Sequence, residues 1–265
     1  MIDDPRGRID YDEAGDGDRV VLVPGSCSTG AAWRPVVAAI GPGFRTVNTS
    51  LLGYGATDER RTAADPDIAH EAAALETVIR RAGEPAHLVG HSFGGLVSLA
   101  VALRRRVSLA SLVIVEAPAL EILSRPGEEV HYAAIRRMTA AYFAAFDRGE
   151  RDAIAAMVDF YGGTGTFASW PERVRAYAER TTAVNVVDWA TAFGFPLPAE
   201  TVASVDVPSL VMWGGASHPS MQRANALLAA GIPGAASAVV EGAAHFMIST
   251  HAGEVGRLIE RHIRR

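Results

Sequence analysis

Along the 265-residue chain, apolar residues come in two alternating rhythms. Short runs that are apolar at nearly every position, bounded by Gly, Pro or Asp, mark strands buried on both faces. Longer stretches with apolar residues three and four apart mark helices that bury one side. A brief alternation at Ile9 and Tyr11 opens the strand series, followed by a Gly/Asp turn and a buried run from Val20 to Val23. The pattern returns in FRTVNTSLLG, AHLVGHS, LASLVIVEAP, VPSLVMWGG and SAVVEGAAH. Between these lie the helical segments AAWRPVVAAI, DIAHEAAALETVIRRAG, FGGLVSLAVALRRR, MQRANALLAAG and GEVGRLIERHI. In the second of them Ile68, Ala72, Leu75 and Ile79 share a face, and Gly83 ends it. Such alternation predicts an α/β fold with a mostly parallel central sheet flanked by helices.

The middle of the chain breaks the rhythm. From about 120 to 205 no strand pattern occurs. Ile135, Met138, Tyr142 and Phe146 mark one helix; Ile154, Met157, Val158 and Tyr161 mark another, closed by two glycines. In SWPER, Ser169 and Glu172 offer a capping box for a third. The expected organisation is a core in two parts, residues 1–119 and 206–265, with a helical cap, 120–205, inserted between two strands of the sheet.

Composition narrows the function. With 49% hydrophobic residues the chain can bury a large core, and a net charge of -5 argues against nucleic-acid or anionic-membrane partners. All 25 basic residues are Arg, which excludes a Schiff-base or phosphate-loop lysine. Cys27 is the sole cysteine, so no intrachain disulfide forms. The polar, acidic start is unlike a signal peptide, and no apolar run reaches the ~18 residues of a membrane span. The expectation is a cytoplasmic protein acting on a small molecule. No His/Cys/Asp/Glu set has metal-ligand spacing, and neither a metal nor a cofactor is expected.

Within HLVGHSFGGLVSLA, Gly90-His91-Ser92-Phe93-Gly94 gives G-x-S-x-G at a strand-to-helix junction. That junction is the context in which a serine sits on a sharp turn as a nucleophile, with the helix N-terminus facing developing negative charge. His245 lies just past the last strand, in position to hang over the same sheet edge as a general base. His218 is the main competitor, and the turn should aim His91 away from Ser92. The loop VPGSCSTGAAW offers backbone N–H groups for an oxyanion hole: Ser26, or alternatively Cys27, together with Phe93.

In combination, YDEAGDGDRVVLVPGS, LLGYGAT, GHSFGG, VPSLVMWGG and GAAH resemble the α/β-hydrolase family, in particular serine esterase-like members with a helical cap. The chain departs from the pattern in two places. VPG stands where His-Gly is more usual before the oxyanion loop. The resemblance also implies an acid after VMWGG, yet from Val207 to Val240 there is no Asp or Glu. Glu116 in LVIVEAP closes the strand that follows the nucleophile's helix, and certain haloalkane dehalogenases are similar in taking their acid from this strand end. Those enzymes use an Asp nucleophile, so dehalogenation does not carry over to Ser92. Glu116 is the expected acid, and Asp188 in the cap is the second candidate. The chemistry expected is hydrolysis of an ester or thioester by Ser92, His245 and Glu116, with cap aromatics, Tyr142, Phe146 and Trp189 first, lining an apolar pocket. Carbon–carbon bond hydrolysis and cofactor-free perhydrolysis would use the same three residues. A small-molecule receptor that acylates without turnover is the alternative from another class.

Overall fold

The computed structural model describes residues 1–265. Its strands are β1 (Ile2–Asp4), β2 (Gly7–Ile9), β3 (Tyr11–Ala14), β4 (Asp18–Val23), β5 (Phe44–Thr49), β6 (Ala86–His91), β7 (Leu109–Val115), β8 (Ser209–Gly214) and β9 (Ala236–Val240). Seven of them form one sheet in the order β3-β5-β4-β6-β7-β8-β9. Only β3 runs antiparallel, against β5; every other pairing in that sheet is parallel. β1 and β2 make a separate antiparallel hairpin. The alternation at Ile9 and Tyr11 is therefore not one strand but the end of β2 and the start of β3. Asp10 between them is drawn out of the ladder, its N–H donating to Thr57 and its carboxylate accepting from Ser50.

Alternate residues of the parallel strands feed two cores. Val20 and Leu22 of β4 face Trp33, Val36, Val255 and Ile259, so that α1 (Arg34–Val37), α11 (Met247–Thr250) and α12 (Ala252–Ile263) cover one side. Val21 and Val23 face the other side, covered by α2 (Ile68–Ala82), α3 (Phe93–Arg104) and α10 (Pro219–Gly231). Burial on both faces is why these strands are apolar at every position. Helix α2 starts where Asp67 accepts from the Ala69 N–H and stops at Gly83, with Arg80 and Arg81 in the last turn, where they suit the negative end of the helix dipole.

Between β7 and β8 lie α4 (Glu129–Asp147), α5 (Ile154–Gly162), α6 (Thr166–Ser169), α7 (Glu172–Arg180), α8 (Thr182–Phe193) and α9 (Ala199–Ala203). Ile135, Tyr142, Met157 and Trp189 from this insertion join the same core as Leu88 and Ile114 of the sheet. The capping box expected at Ser169 does not form. Pro171 occupies the N-cap of α7 with no side-chain cap bond, and the Ser169 hydroxyl instead donates to Thr166 O at 2.7 Å, closing α6.

Parallel strands end together. The C-terminal ends of β4, β6, β7, β8 and β9 share one edge, and the loops leaving them carry Ser26, Ser92, Glu116, Ser217 and His245.

Candidate active site

Ser92 stands between β6 and α3 with φ 53° and ψ −129°, a conformation that costs an L-residue energy and turns its side chain out of the sheet. The turn is pressed against the loop after β4. A Cβ on Gly94 would lie 2.3 Å from Pro24 O, and one on Gly25 would lie 2.8 Å from the Ser92 Cβ, so neither position admits a side chain. Ser92 Oγ lies 2.9 Å from His245 Nε2, and His245 Nδ1 lies 2.9 Å from Glu116 Oε1. His245 and Glu116 are almost wholly buried.

Glu116 follows β7 with φ 46°. Its Oε2 accepts from the Gly214 N–H at 2.8 Å and from the Ser217 hydroxyl at 2.6 Å. Two donors thus hold Oε2 while the imidazole meets Oε1, which fixes the carboxylate in place. Asn225 of α10 clamps the next residue, accepting from the Ala117 N–H and donating to its carbonyl, both at 3.0 Å. The acid-free loop after β8 thus supplies donors to a carboxylate that comes from the neighbouring strand.

The other candidates have structural partners. His218 caps α10, accepting from the Ser220 N–H at 3.1 Å, and stacks on Phe160 with ring centroids 4.0 Å apart. His91 is pushed down to about 3 by burial and by the neighbouring His245, so it is neutral; its Nε2 donates to the His245 carbonyl at 2.9 Å and holds that loop in place. Desolvation pushes the Cys27 thiol up to about 12, which leaves no thiolate for nucleophilic attack near neutral pH. Asp188 does not reach His245. Its Oδ2 accepts from the hydroxyls of Ser26 at 2.5 Å and Tyr54 at 2.6 Å, and its Oδ1 lies 2.8 Å from Arg61 Nη1. Arg61 also pairs with Glu59 at 2.8 Å and Glu71 at 3.2 Å, and its guanidinium lies 5.7 Å from the Phe93 ring centroid. Burial, opposed by Arg61 and aided by Asp188, pushes Glu71 up to about 7.

A cavity of about 420 Å³ opens over Ser92. Ser26 and Phe93 line it. Phe93 opens α3, so its N–H has no intrahelical acceptor, and no backbone acceptor takes the Ser26 N–H. Of the three cap aromatics expected to touch substrate, Trp189 lines the cavity, while Tyr142 and Phe146 do not. Tyr142 is fully buried beneath α8 and donates to Asn185 Oδ1 at 2.9 Å; Phe146, further along α4, packs on the core. Tyr161 and Phe246 line the cavity in their place, with ring centroids 4.2 Å and 5.2 Å from that of His245. The helical spacing of Met157, Val158 and Tyr161 was the available signal, since all three face the cavity from α5.

The profile of the alpha/beta hydrolase family matches residues 20–258. Haloalkane dehalogenase 2 of Mycobacterium tuberculosis is 28% identical over 146 residues, 51% of each chain. Pimeloyl-[acyl-carrier protein] methyl ester esterase of Vibrio cholerae is 33% identical over 102 residues, 38% of each chain. The chain thus spans about half or less of the length of these curated relatives. An esterase structure from Exiguobacterium antarcticum superposes with a TM-score of 0.76 at 16% identity, over 98% of this chain and 96% of that one. No helix is long and apolar enough to cross a membrane.

Proposed function

The chain belongs to the alpha/beta hydrolase family, and from that premise we propose that it cleaves a carboxylic ester or thioester through an acyl-enzyme on Ser92. The observation that carries the reading is the continuous relay from Ser92 Oγ through His245 to Glu116, with 2.9 Å at each step. Neutral His245 accepts the Ser92 proton at Nε2 as Oγ attacks the acyl carbon. Glu116 accepts from Nδ1–H, fixing the tautomer that leaves Nε2 free and stabilising the imidazolium. The N–H groups of Ser26 and Phe93 take the oxyanion of the tetrahedral intermediate. As that intermediate collapses, the imidazolium gives its proton to the leaving alkoxide or thiolate. Water then attacks the acyl-enzyme with His245 again as base, and Ser92 recovers its proton when the acid leaves.

The cavity walls formed by Trp189, Tyr161 and Phe246 support a partly apolar acyl or alcohol group of small to medium size. Ester hydrolysis is also the activity named for the Vibrio cholerae relative and for the Exiguobacterium antarcticum structure. A panel of p-nitrophenyl esters of increasing chain length, run beside fluorophosphonate labelling, tests the reading. The expected result is turnover, with mass spectrometry placing the adduct on the Ser92 peptide and Ser92→Ala abolishing both. A single stoichiometric acylation without turnover would make the protein a receptor, and label on Ser26 or Ser28 would remove Ser92 as nucleophile.

A further inference from the structure

Helix α8 presents Asn185, Asp188, Trp189 and Ala192 to the cavity, residues at the three- and four-residue spacing of one helical face. Asp188 accepts at Oδ2 from Ser26 and Tyr54, and its Oδ1 is held by the charge of Arg61 2.8 Å away. Asn185 does not have its full complement. The residue is only 2% exposed and lines the cavity, its Oδ1 accepts from Tyr142, and that is the one hydrogen bond its side chain makes within the protein. The amide orientation is determined by Tyr142. That hydroxyl is fully buried and Asn185 is its one acceptor, so Oδ1 must face Tyr142 and both Nδ2 protons are left for the cavity. A buried donor fixed from behind, on the wall adjoining Ser26, is built to meet an oxygen that arrives with the ligand.

The neighbouring charge decides which oxygen. Glu59, Glu71 and Asp188 gather round the single guanidinium of Arg61, which leaves that wall negative. No Arg lines the cavity, and the chain has no Lys. A carboxylate beside Asp188 would be repelled with no cation to hold it, and an ammonium would meet the N–H donors of Asn185 head-on. We infer that Asn185, oriented by Tyr142, is a specificity-determining residue that selects substrates carrying a neutral acceptor oxygen, a ketone, amide or ether, on the group bound beneath the cap. The inference rests on the ester-hydrolase reading for its position in the reaction, and on the cavity wall alone for the preference.

The test compares kcat/KM for p-nitrophenyl hexanoate, its 4-oxo and 5-oxo analogues, and the anionic glutarate monoester. One oxo ester should be favoured over hexanoate by roughly five- to tenfold, the net worth of one neutral hydrogen bond, and the anion should be the poorest. Asn185→Leu should bring the oxo-to-hexanoate ratio to near one, and Tyr142→Phe, which frees the amide to rotate, should lower it part of the way. Because each ratio is taken within one variant, partial misfolding does not disturb it, and fluorophosphonate titration counts the competent sites. Hexanoate turnover with an oxo ratio near one in the wild type, or a ratio unchanged in Asn185→Leu, overturns the inference while leaving the esterase reading intact. If no ester is turned over, calorimetry of Ser92→Ala with hexanamide and its oxo analogues reads the same preference directly. Equal affinities there overturn it.

Discussion

Glu116 and Asp188 are both carboxylates buried at the same sheet edge, and they are held in opposite ways. Glu116 has no cation near it: it is surrounded by donors, the Gly214 N–H, the Ser217 hydroxyl and the His245 imidazole. Asp188 shares Arg61 with Glu59 and Glu71, and ties α8 of the insertion to Ser26 and Tyr54 of the core. Burial of a carboxylate therefore does not by itself indicate chemistry. The difference lies in the far side of the partner. Behind the imidazole on Glu116 is a second nitrogen that meets Ser92, and behind the guanidinium on Asp188 are more carboxylates. One arrangement can relay a proton; the other can only hold walls together.

The comparison breaks most sharply at Glu116→Gln. Gly214 N–H and the Ser217 hydroxyl would keep the amide oxygen where Oε2 now sits, so the amide NH₂ would face His245 Nδ1. That favours the tautomer with the proton on Nε2, which cannot accept from Ser92. The expected loss in kcat is roughly 10³–10⁴, with denaturant unfolding little changed. Arg61→Met should do the reverse. Removing the one cation from buried Asp188 and Glu71 should cost about 3–5 kcal/mol of stability, read by chemical denaturation, while turnover per titrated site falls far less than in Glu116→Gln. If Arg61→Met instead lost activity without losing stability, the Asp188 cluster would belong to the chemistry.

The two sites also differ in how legible they are in the sequence. Ser92, Glu116 and His245 each end an apolar strand or follow one, and strands that read as apolar at every position are parallel and finish at a common edge. Chain order and strand ends sufficed to bring them to one place. Helix α8 gave no such reading, because its cavity face carries Asn185 and Asp188, and a hydrophobic period cannot reveal a face that is buried but polar. The strands β1 and β2, three residues each, are too short to display a period of two. Glu71 carries a partial signal. It falls between Ile68 and Leu75 on the buried stripe of α2, where a carboxylate requires a partner, but nothing local names Arg61 as that partner.

The cluster should also show itself through pH. Burial is the main reason Glu71 lies at about 7, above the usual carboxylate range. Its native pKa is raised, so between about 4.5 and 7 the native state binds more protons than the unfolded state, and stability falls as pH rises through that window. Its contribution is fully present below the unfolded pKa and is lost as pH passes the native one. Glu71→Gln, uncharged at every pH, should flatten this fall by about 1–3 kcal/mol. Urea unfolding of both proteins at pH 5 and pH 8 measures it. A wild type whose stability rises across that window by the same amount as the variant's would mean that Arg61 holds Glu71 ionised.

The smallest effect expected is at Ser217, in the loop where an acid is missing. Its hydroxyl donates to Glu116 Oε2 at 2.6 Å, so the loop after β8 orients the acid that it does not supply. Ser217→Ala leaves the Gly214 N–H and the imidazole in place on a carboxylate that stays buried. A hydrogen bond to a charged group contributes about 1.5–3 kcal/mol, and the part that reaches the transition state is the lower end, because Glu116 keeps its contact with Nδ1 throughout. Ser217→Ala should therefore lower kcat roughly tenfold, with KM nearly unchanged, at least a hundredfold less than the loss in Glu116→Gln. Steady-state kinetics on the same ester would separate the two. A Ser217→Ala loss as large as that of Glu116→Gln would mean that one backbone N–H cannot keep the carboxylate in register, and that the loop after β8 still governs the acid.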